Sequence, residues 1–280
     1  MNPAKITILA PGLIGGSVAL AATQAFPKSK IAIITRRPES IPSIRTLLPQ
    51  AEIATSPSLA SNADLIILGS PPSALAELVH SILPFLSPTA LVTDVSSFKD
   101  SVEKTIAPLL FGHARWIGSH PMAGSEHSGI SAARADLFHQ APVILTPTAA
   151  TSTDTLQQAT SFWQALGARV LSMTPQLHDA QIARISHLPH LIATTLVLTA
   201  GSDSIPLSGS GYRDTTRIAS GPAPLWTEIL IGNQPELLSS LKKFRTTLDQ
   251  VTSALENKDA STLSKLLDQA THIRRALPTP

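Results

Sequence analysis

Five stretches of this chain carry residue types that could do chemistry. "ITILAPGLIGGS" (6–17) is a glycine-rich turn between two apolar runs. "DVSSFK" (94–99) and "SHPMAGSE" (119–126) each put hydroxyls beside a charged or titratable residue. "ISHLPH" (185–190) sets two histidines three apart next to Pro189. "GYRDTTRIA" (211–219) gathers Arg213, Asp214 and Arg217 around two threonines. A glycine turn of this kind lets a backbone approach a dinucleotide. A histidine, a hydroxyl and an arginine converging on its nicotinamide suit oxidation of an anionic alcohol. The histidine takes the hydroxyl proton, hydride leaves for the cofactor, and the guanidinium holds a carboxylate through paired hydrogen bonds.

The turn has a definite mechanics. Gly12 and Gly15 occupy the second and third glycine positions of a G-x-G-x-x-G pattern, with Leu13 and Ile14 between them. The second glycine admits the pyrophosphate, the third lets helix and strand pack, and the phosphates rest on the helix N-terminus. Ala10 stands where the first glycine belongs. The residue that reads the adenosine ribose is expected at the end of the next strand, about 20 residues beyond Gly15. There the chain reads "AIITRRPES": Thr35 replaces the usual acid, and Arg36 and Arg37 follow, with Glu39 nearby. An uncharged hydroxyl followed by guanidinium groups favours a 2′-phosphate, so NADP is the expected cofactor, with NAD possible. Ser70 and Asp94, at the ends of their own strands, complete the expected cofactor contacts.

The elements that must position these residues alternate. Strands are expected at 5–9, 30–35, 64–70, 90–95, 115–119, 141–146 and 168–173. Helices are expected at 13–26, 40–48, 72–86, 99–110 and 154–166, with Pro84 ending or kinking the third. Strands spaced by helices of this length predict an α/β fold with a doubly wound parallel sheet of the Rossmann type. After Thr174 the strand signals stop, and helices are expected at 176–201, 223–233, 235–256 and 260–276. The predicted division is therefore a dinucleotide-binding domain at 1–174 and a helical substrate and dimerisation domain at 175–280.

Composition narrows the function. Of 280 residues 43% are hydrophobic and 14% charged, enough for a large core. A net charge of +2 is too small to steer nucleic acid, and the run Lys242-Lys243-Phe244-Arg245 reads as a solvated helix face. With no cysteine there are no disulfides or thiolate metal sites, which fits a reducing, cytoplasmic setting. The apolar run at 6–22 after Lys5 resembles a secretory signal, but Pro11, Gly12, Gly15 and Gly16 interrupt it. No stretch reaches the roughly 20 apolar residues of a membrane span. His187 and His190 have no third ligand at metal-site spacing, so no metal is expected.

"GLIGGS", "DVSSFK", "GSHPMAGSE", "SHLPH" and "GYRDTTRIA", in that order, resemble the prephenate/arogenate dehydrogenases of tyrosine biosynthesis, over residues 6 to about 255. The resemblance implies NAD(P)-dependent oxidative decarboxylation of a cyclohexadienol that carries a ring carboxylate. It implies a Rossmann domain followed by a helical dimerisation domain, hence a homodimer acting on a small molecule. Nothing resembles a fused chorismate mutase, and no C-terminal regulatory domain is expected. By matching motif positions, His120 is the catalytic histidine and Ser97 the hydroxyl that orients His120 or the substrate. Arg217 holds the ring carboxylate, Asp214 positions an arginine by an ion pair, with Arg213 beside it, and His187 or His190 lines the side-chain end. Two rivals remain on sequence alone. One is another Rossmann-plus-helical dehydrogenase of a hydroxy acid, which usually has a catalytic lysine in its helical half; no lysine lies between Lys104 and Lys242. The other is a non-catalytic dinucleotide-binding protein, for which Ala10 argues.

Overall fold

A computed structural model of the chain describes residues 2–125, 127 and 129–276. Short runs rich in Ile, Leu and Val become strands covered on both faces. They are β1 (Lys5–Leu9), β2 (Lys30–Ile34), β3 (Glu52–Ala54), β4 (Leu65–Leu68), β5 (Leu91–Asp94) and β6 (Arg115–Trp116). They form one sheet in the order β3-β2-β1-β4-β5-β6, with every pairing parallel. The order reverses between β1 and β4, and ligands of such sheets bind beyond the strand carboxyl ends at that point.

Alternate residues of each strand face opposite layers. Ile6, Ile8, Ile31, Ile33, Leu65 and Ile67 pack with α1 (Leu13–Ala25) and α5 (Thr153–Ala165), whose Phe162 and Trp163 are fully buried. Leu9, Ala32, Ile34, Ile66 and Leu68 face the other way, toward α3 (Leu75–Ile82) and α4 (Asp100–Leu110). The short α2 (Ile41–Leu47) buries Ile44 in the first layer. As Pro84 required, the helix after β4 stops at Ile82, and Leu83–Phe85 form a 3-10 turn.

The strand expected at 115–119 is two strands in different sheets, which corrects the expectation of one parallel sheet. After β6 the chain leaves β5 at the buried Ile117. β7 (Gly118–Pro121) then pairs antiparallel with β8 (Pro142–Thr146), and β8 pairs parallel with β9 (Arg169–Ser172). Gly118 permits the break. A Cβ there would lie 2.5 Å from Thr146 Oγ1 and 3.4 Å from the Lys99 side chain.

Beyond Ser172 the described chain is helical. The helix expected at 176–201 is divided into α6 (Pro175–Ile182), a π-helical turn at Ala183–His187 and α7 (Leu188–Ser204). Pro189 has no N–H to donate, and its ring crowds the carbonyl of Ile185; a wider turn relieves both problems. Gly201, at φ 66°, interrupts α7 near its end. Then come α8 (Ser210–Thr216), a 3-10 turn at Arg217–Ser220 and α9 (Ala223–Gly232). β3 and α8 were not expected. β3 is too short to show alternation, and Gly-Tyr-Arg-Asp-Thr-Thr is a weak helix former that needs tertiary support. Two compact units result, Met1–Asn233 and Gln234–Pro280. The second contains α10 (Gln234–Glu256) and α11 (Ala260–Arg275), which contact each other; Asp259 caps α11 by accepting from Thr262 N at 3.0 Å. Among the described residues no helix is long and apolar enough to cross a membrane.

The two glycines at the mouth of the parallel sheet differ in what surrounds them. A Cβ on Gly69 would sit 2.9 Å from the carbonyl oxygens of both Leu9 and Ala10, whereas one on Gly12 meets nothing within 4 Å. Gly69→Ala should therefore destabilise the protein by about 1–3 kcal/mol, as overpacking does. Gly12→Ala should leave the urea midpoint unchanged and weaken dinucleotide binding. Equal midpoints for the two variants would contradict this.

Candidate active site

A cavity of about 670 Å³ opens at the carboxyl ends of β1, β4 and β5. Gly12, Ser70, Ser97 and His120 line it from the sheets, and His187, Arg217 and Trp226 from the helical segments. All belong to the first compact unit.

A buried ion pair places His120. Asp94 closes β5 and is 0% exposed; Lys99, in the loop that follows, is 1% exposed, and its Nζ lies 2.5 Å from Asp94 Oδ2. The same Nζ donates to Ser119 O at 2.7 Å, while Asp94 Oδ1 accepts from Ser119 N at 3.1 Å and Oδ2 from Ser96 N at 3.0 Å. Ser119 Oγ also donates to the Asp94 carbonyl. The side-chain pair thus satisfies both backbone groups of Ser119 where β7 has left β5, and His120 is the next residue. Burial pushes the Lys99 ammonium below its ordinary range, opposed by Asp94. Asp94 was expected to contact the cofactor; instead its carboxylate is committed to Lys99, Ser96 and Ser119 and does not reach the cavity.

His120 is held in one tautomer. Asp179 Oδ1 lies 2.7 Å from His178 Nδ1, and Asp179 also accepts from Lys99 N at 2.8 Å and Asp100 N at 2.9 Å. A carboxylate that takes two backbone donors stays an acceptor, so His178 Nδ1 carries the proton and neutral His178 has its lone pair on Nε2. That atom is 2.9 Å from His120 Nδ1, which must then be the N–H, leaving the lone pair of His120 on Nε2. Burial depresses His120 well below the ordinary histidine range, with His178, Lys99 and His187 adding to the effect. His178 is lowered too, chiefly by burial, with Asp179 opposing. A neutral histidine with a free Nε2 can accept a proton. Ser97 lines the same cavity, but among the described residues no hydrogen bond joins it to His120. Nor does Ser97 cap α4: Asp179 binds the first amides of that helix from α6.

His178 and Asp179 escaped sequence reading, because "QLHDAQ" passes for the exposed face of a helix. One signal was present: His178 stands four residues before Ile182, on the face that the helix buries.

On the helical side the structure separates the two histidine candidates. His187 is buried and lines the cavity, whereas His190 lies behind it, stacked on Trp226 with ring centroids 3.5 Å apart. Arg217 faces the cavity, and its guanidinium has no partner among the described residues. Arg213 and Asp214 do not reach the cavity. α8 ends at Thr216, and the tighter turn that follows brings Arg217, Ile218 and Ser220 to the cavity wall. Arg213 donates to Ser208 O at 2.9 Å, and among the described residues Asp214 forms no ion pair, contrary to expectation.

The sheet side suits a dinucleotide. Gly12, Leu13 and Ile14 border the cavity where α1 begins, α1 has no side-chain cap, and a Cβ on Gly12 would fill open space. Ser70 Oγ is buried without a hydrogen-bond partner and lines the cavity. Ala10 adopts φ 56°, the left-handed conformation that the missing glycine would take without strain. Thr35 departs from expectation. Its hydroxyl bonds Ser40 Oγ at 2.8 Å and accepts from Arg37 N at 3.2 Å, so it shapes the β2 loop. Arg36 and Arg37 are exposed at that strand end, Arg36 lying 3.5 Å from Glu77.

A doubly wound sheet with an uncapped glycine turn, facing a neutral histidine and an arginine across one cavity, defines a nicotinamide-dependent dehydrogenase of the Rossmann class. Comparison with known proteins makes this specific. Residues 18–172 match the family model "Prephenate dehydrogenase, nucleotide-binding domain" and residues 174–269 match "Prephenate dehydrogenase, dimerization domain". The chain belongs to the prephenate dehydrogenase family. A Bacillus subtilis prephenate dehydrogenase is 33% identical over 99% of this chain and 78% of its own. The crystal structure of A. aeolicus prephenate dehydrogenase with hydroxyphenyl propionate and NAD+ is 29% identical, with a TM-score of 0.90 and 97% of each chain covered. Synechocystis arogenate dehydrogenase is 33% identical, with a TM-score of 0.85, over 97% of this chain and 99% of that one.

The buried histidines also set an acid limit on stability. Burial, opposed by Asp179, pushes His187 down to about 4 from an ordinary 6.5, and His120 and His178 shift the same way. Below pH 6.5 the unfolded chain takes up protons that the folded chain refuses. The stability from neutral histidines is therefore complete above 6.5 and lost as pH falls toward about 4. Urea midpoints should fall between pH 7 and pH 5; a flat profile would show these rings to be solvated.

Proposed function

We propose that this chain oxidatively decarboxylates prephenate or arogenate, with NADP as the preferred acceptor. The observation that carries the reading is the pairing, in one cavity, of a histidine with its lone pair on Nε2 and an arginine with no partner among the described residues. His120 Nε2 accepts the proton of the ring hydroxyl. Its Nδ1–H stays on His178, whose own Nδ1–H stays on Asp179, so the new imidazolium is stabilised through the second ring by a carboxylate. Ser97 bonds the substrate hydroxyl and aims it at His120, and Arg217 takes the ring carboxylate. Gly12, Leu13 and Ile14 would hold the pyrophosphate of the dinucleotide, with Ser70 beside them, and the bound cofactor would supply the acceptor for the carbinol hydride. Loss of carbon dioxide leaves an aromatic ring, so the residues chiefly orient the substrate and accept one proton.

We assign the dinucleotide to residues 1–174 and substrate binding and dimerisation to 175–280. Support for a homodimer comes from apolar side chains exposed on the helical segments, among them Leu198, Leu207 and Ile231, and from the matched dimerisation model. The cofactor preference rests on Arg36 and Arg37, exposed at the β2 end where an acidic residue would repel a 2′-phosphate.

Turnover of prephenate and of arogenate by the purified protein tests the activity. His120→Asn should lower kcat by roughly 10²–10⁴-fold with cofactor affinity retained. In the parent, kcat/KM should fall with acid only below the ordinary histidine value, because His120 is depressed. Near-normal turnover by His120→Asn would remove it as the base.

Cofactor choice is read separately, as the ratio of kcat/KM with NADP to that with NAD. The parent should favour NADP, and Arg36→Ala and Arg37→Ala should each move the ratio toward NAD. A parent that prefers NAD, or ratios that neither substitution changes, would overturn the assignment.

A further inference from the structure

Asn233 ends α9, is 2% exposed, and appears in none of the motifs. Its Nδ2 lies 2.9 Å from the backbone carbonyl oxygen of Asp179 and 3.1 Å from His187 Nδ1. A carbonyl oxygen can only accept, so the amide atom facing it must be the NH2 group. That NH2 has two hydrogens, and the second points at His187 Nδ1, which must then be unprotonated. The proton of neutral His187 is left on Nε2. That atom is buried, has no hydrogen-bond partner, and belongs to a residue lining the cavity.

We infer that Asn233 is a positioning residue that locks His187 as the Nε2–H tautomer, making the cavity wall there a neutral donor for an acceptor oxygen of the substrate. Such a wall suits a carboxylate or keto oxygen and offers nothing to an ammonium group. The polarity is opposite to that at His120, where Nε2 accepts, so the cavity presents a proton acceptor on the sheet side and a proton donor on the helical side. Burial keeps His187 neutral through the physiological range, with the Asp179 carboxylate opposing and the neighbouring His178 and His190 reinforcing. The geometry explains why the residue is asparagine. Aspartate would set a carboxylate against the Asp179 carbonyl, and serine is too short to reach both partners. Gly232 lets the chain come this close, because a Cβ there would run into the Phe98 ring beside Ser97.

The inference deepens the proposed function by naming what that site recognises, and its test separates the two. In protein with ¹⁵N-labelled histidine, the His187 resonances, assigned with a His187→Gln variant, should show Nε2 protonated and Nδ1 bare from pH 6 to 8. Asn233→Asp should draw the proton to Nδ1, and Asn233→Ala should leave a mixture. With whichever of prephenate and arogenate the parent turns over, both variants should raise KM roughly tenfold or more, the effect of losing a hydrogen bond to a charged group. The Kd for NADP should not change. A parent with Nδ1 protonated, or with an imidazolium at pH 7, overturns the inference, and that measurement needs no change at Asn233 and no substrate. Unchanged KM in a variant whose tautomer has shifted overturns it as well. If the parent turns over neither substrate, the proposed function falls while the resonances still judge the tautomer.

Discussion

The site rests on the ion pair between Lys99 and Asp94. Charges this deep are expensive unless they are paired and hydrogen-bonded, and here they are: one ammonium, one carboxylate and the backbone of Ser96 and Ser119 close a single network. The pair does the work of a strand ladder at the point where the chain crosses from the parallel sheet to the smaller one. Without it the amide and carbonyl of Ser119 would be buried and unsatisfied, and His120 would have no fixed starting point. Ser97 sits between the two charged residues, so the same network places both the hydroxyl and the base.

Asp179 ties the helical segment to that network. It caps α4 and orients His178 with the same two oxygens, and α6 carries it to Lys99. Proton positions then follow without choice from carboxylate to His178 to His120, each ring donating at one nitrogen and accepting at the other. Asn233 imposes a separate order on His187 from the opposite direction. The direction of every hydrogen bond is set by groups that can act in only one way, a carboxylate or a carbonyl, so the two rings are preorganised before any substrate arrives.

At the dinucleotide turn the chain tolerates strain. Ala10 in a left-handed conformation costs about 1–2 kcal/mol. It keeps its place because the surrounding backbone leaves no alternative: Ala10 donates to Ile34 O, and Gly12 donates back to Ala10 O, both at 2.9 Å. The turn is therefore specified by its hydrogen bonds, and the tightest backbone approach that demands glycine is at Gly69, where β1 and β4 converge.

Periodicity and punctuation in the chain determined the alternating strands and helices, the glycine turn and the helical half, since these follow from local patterns of two and 3.6 residues. The motifs in order determined the family and pointed to His120, Ser97 and Arg217, because reactive side chains in loops have little other reason to cluster. The sequence could not say which of His187 and His190 meets the cavity. That depends on the rotation introduced by the π-helical turn. Nor could it show that Asp94 and Thr35 spend their polar atoms on the protein itself, or that Arg213 and Asp214 turn away. His178, Asp179 and Asn233 lie 58, 59 and 113 residues from His120, in helices where polar residues usually meet water. Only the packing of those helices against the sheet removes that water, and a buried polar atom must then find its partner wherever the fold has brought one.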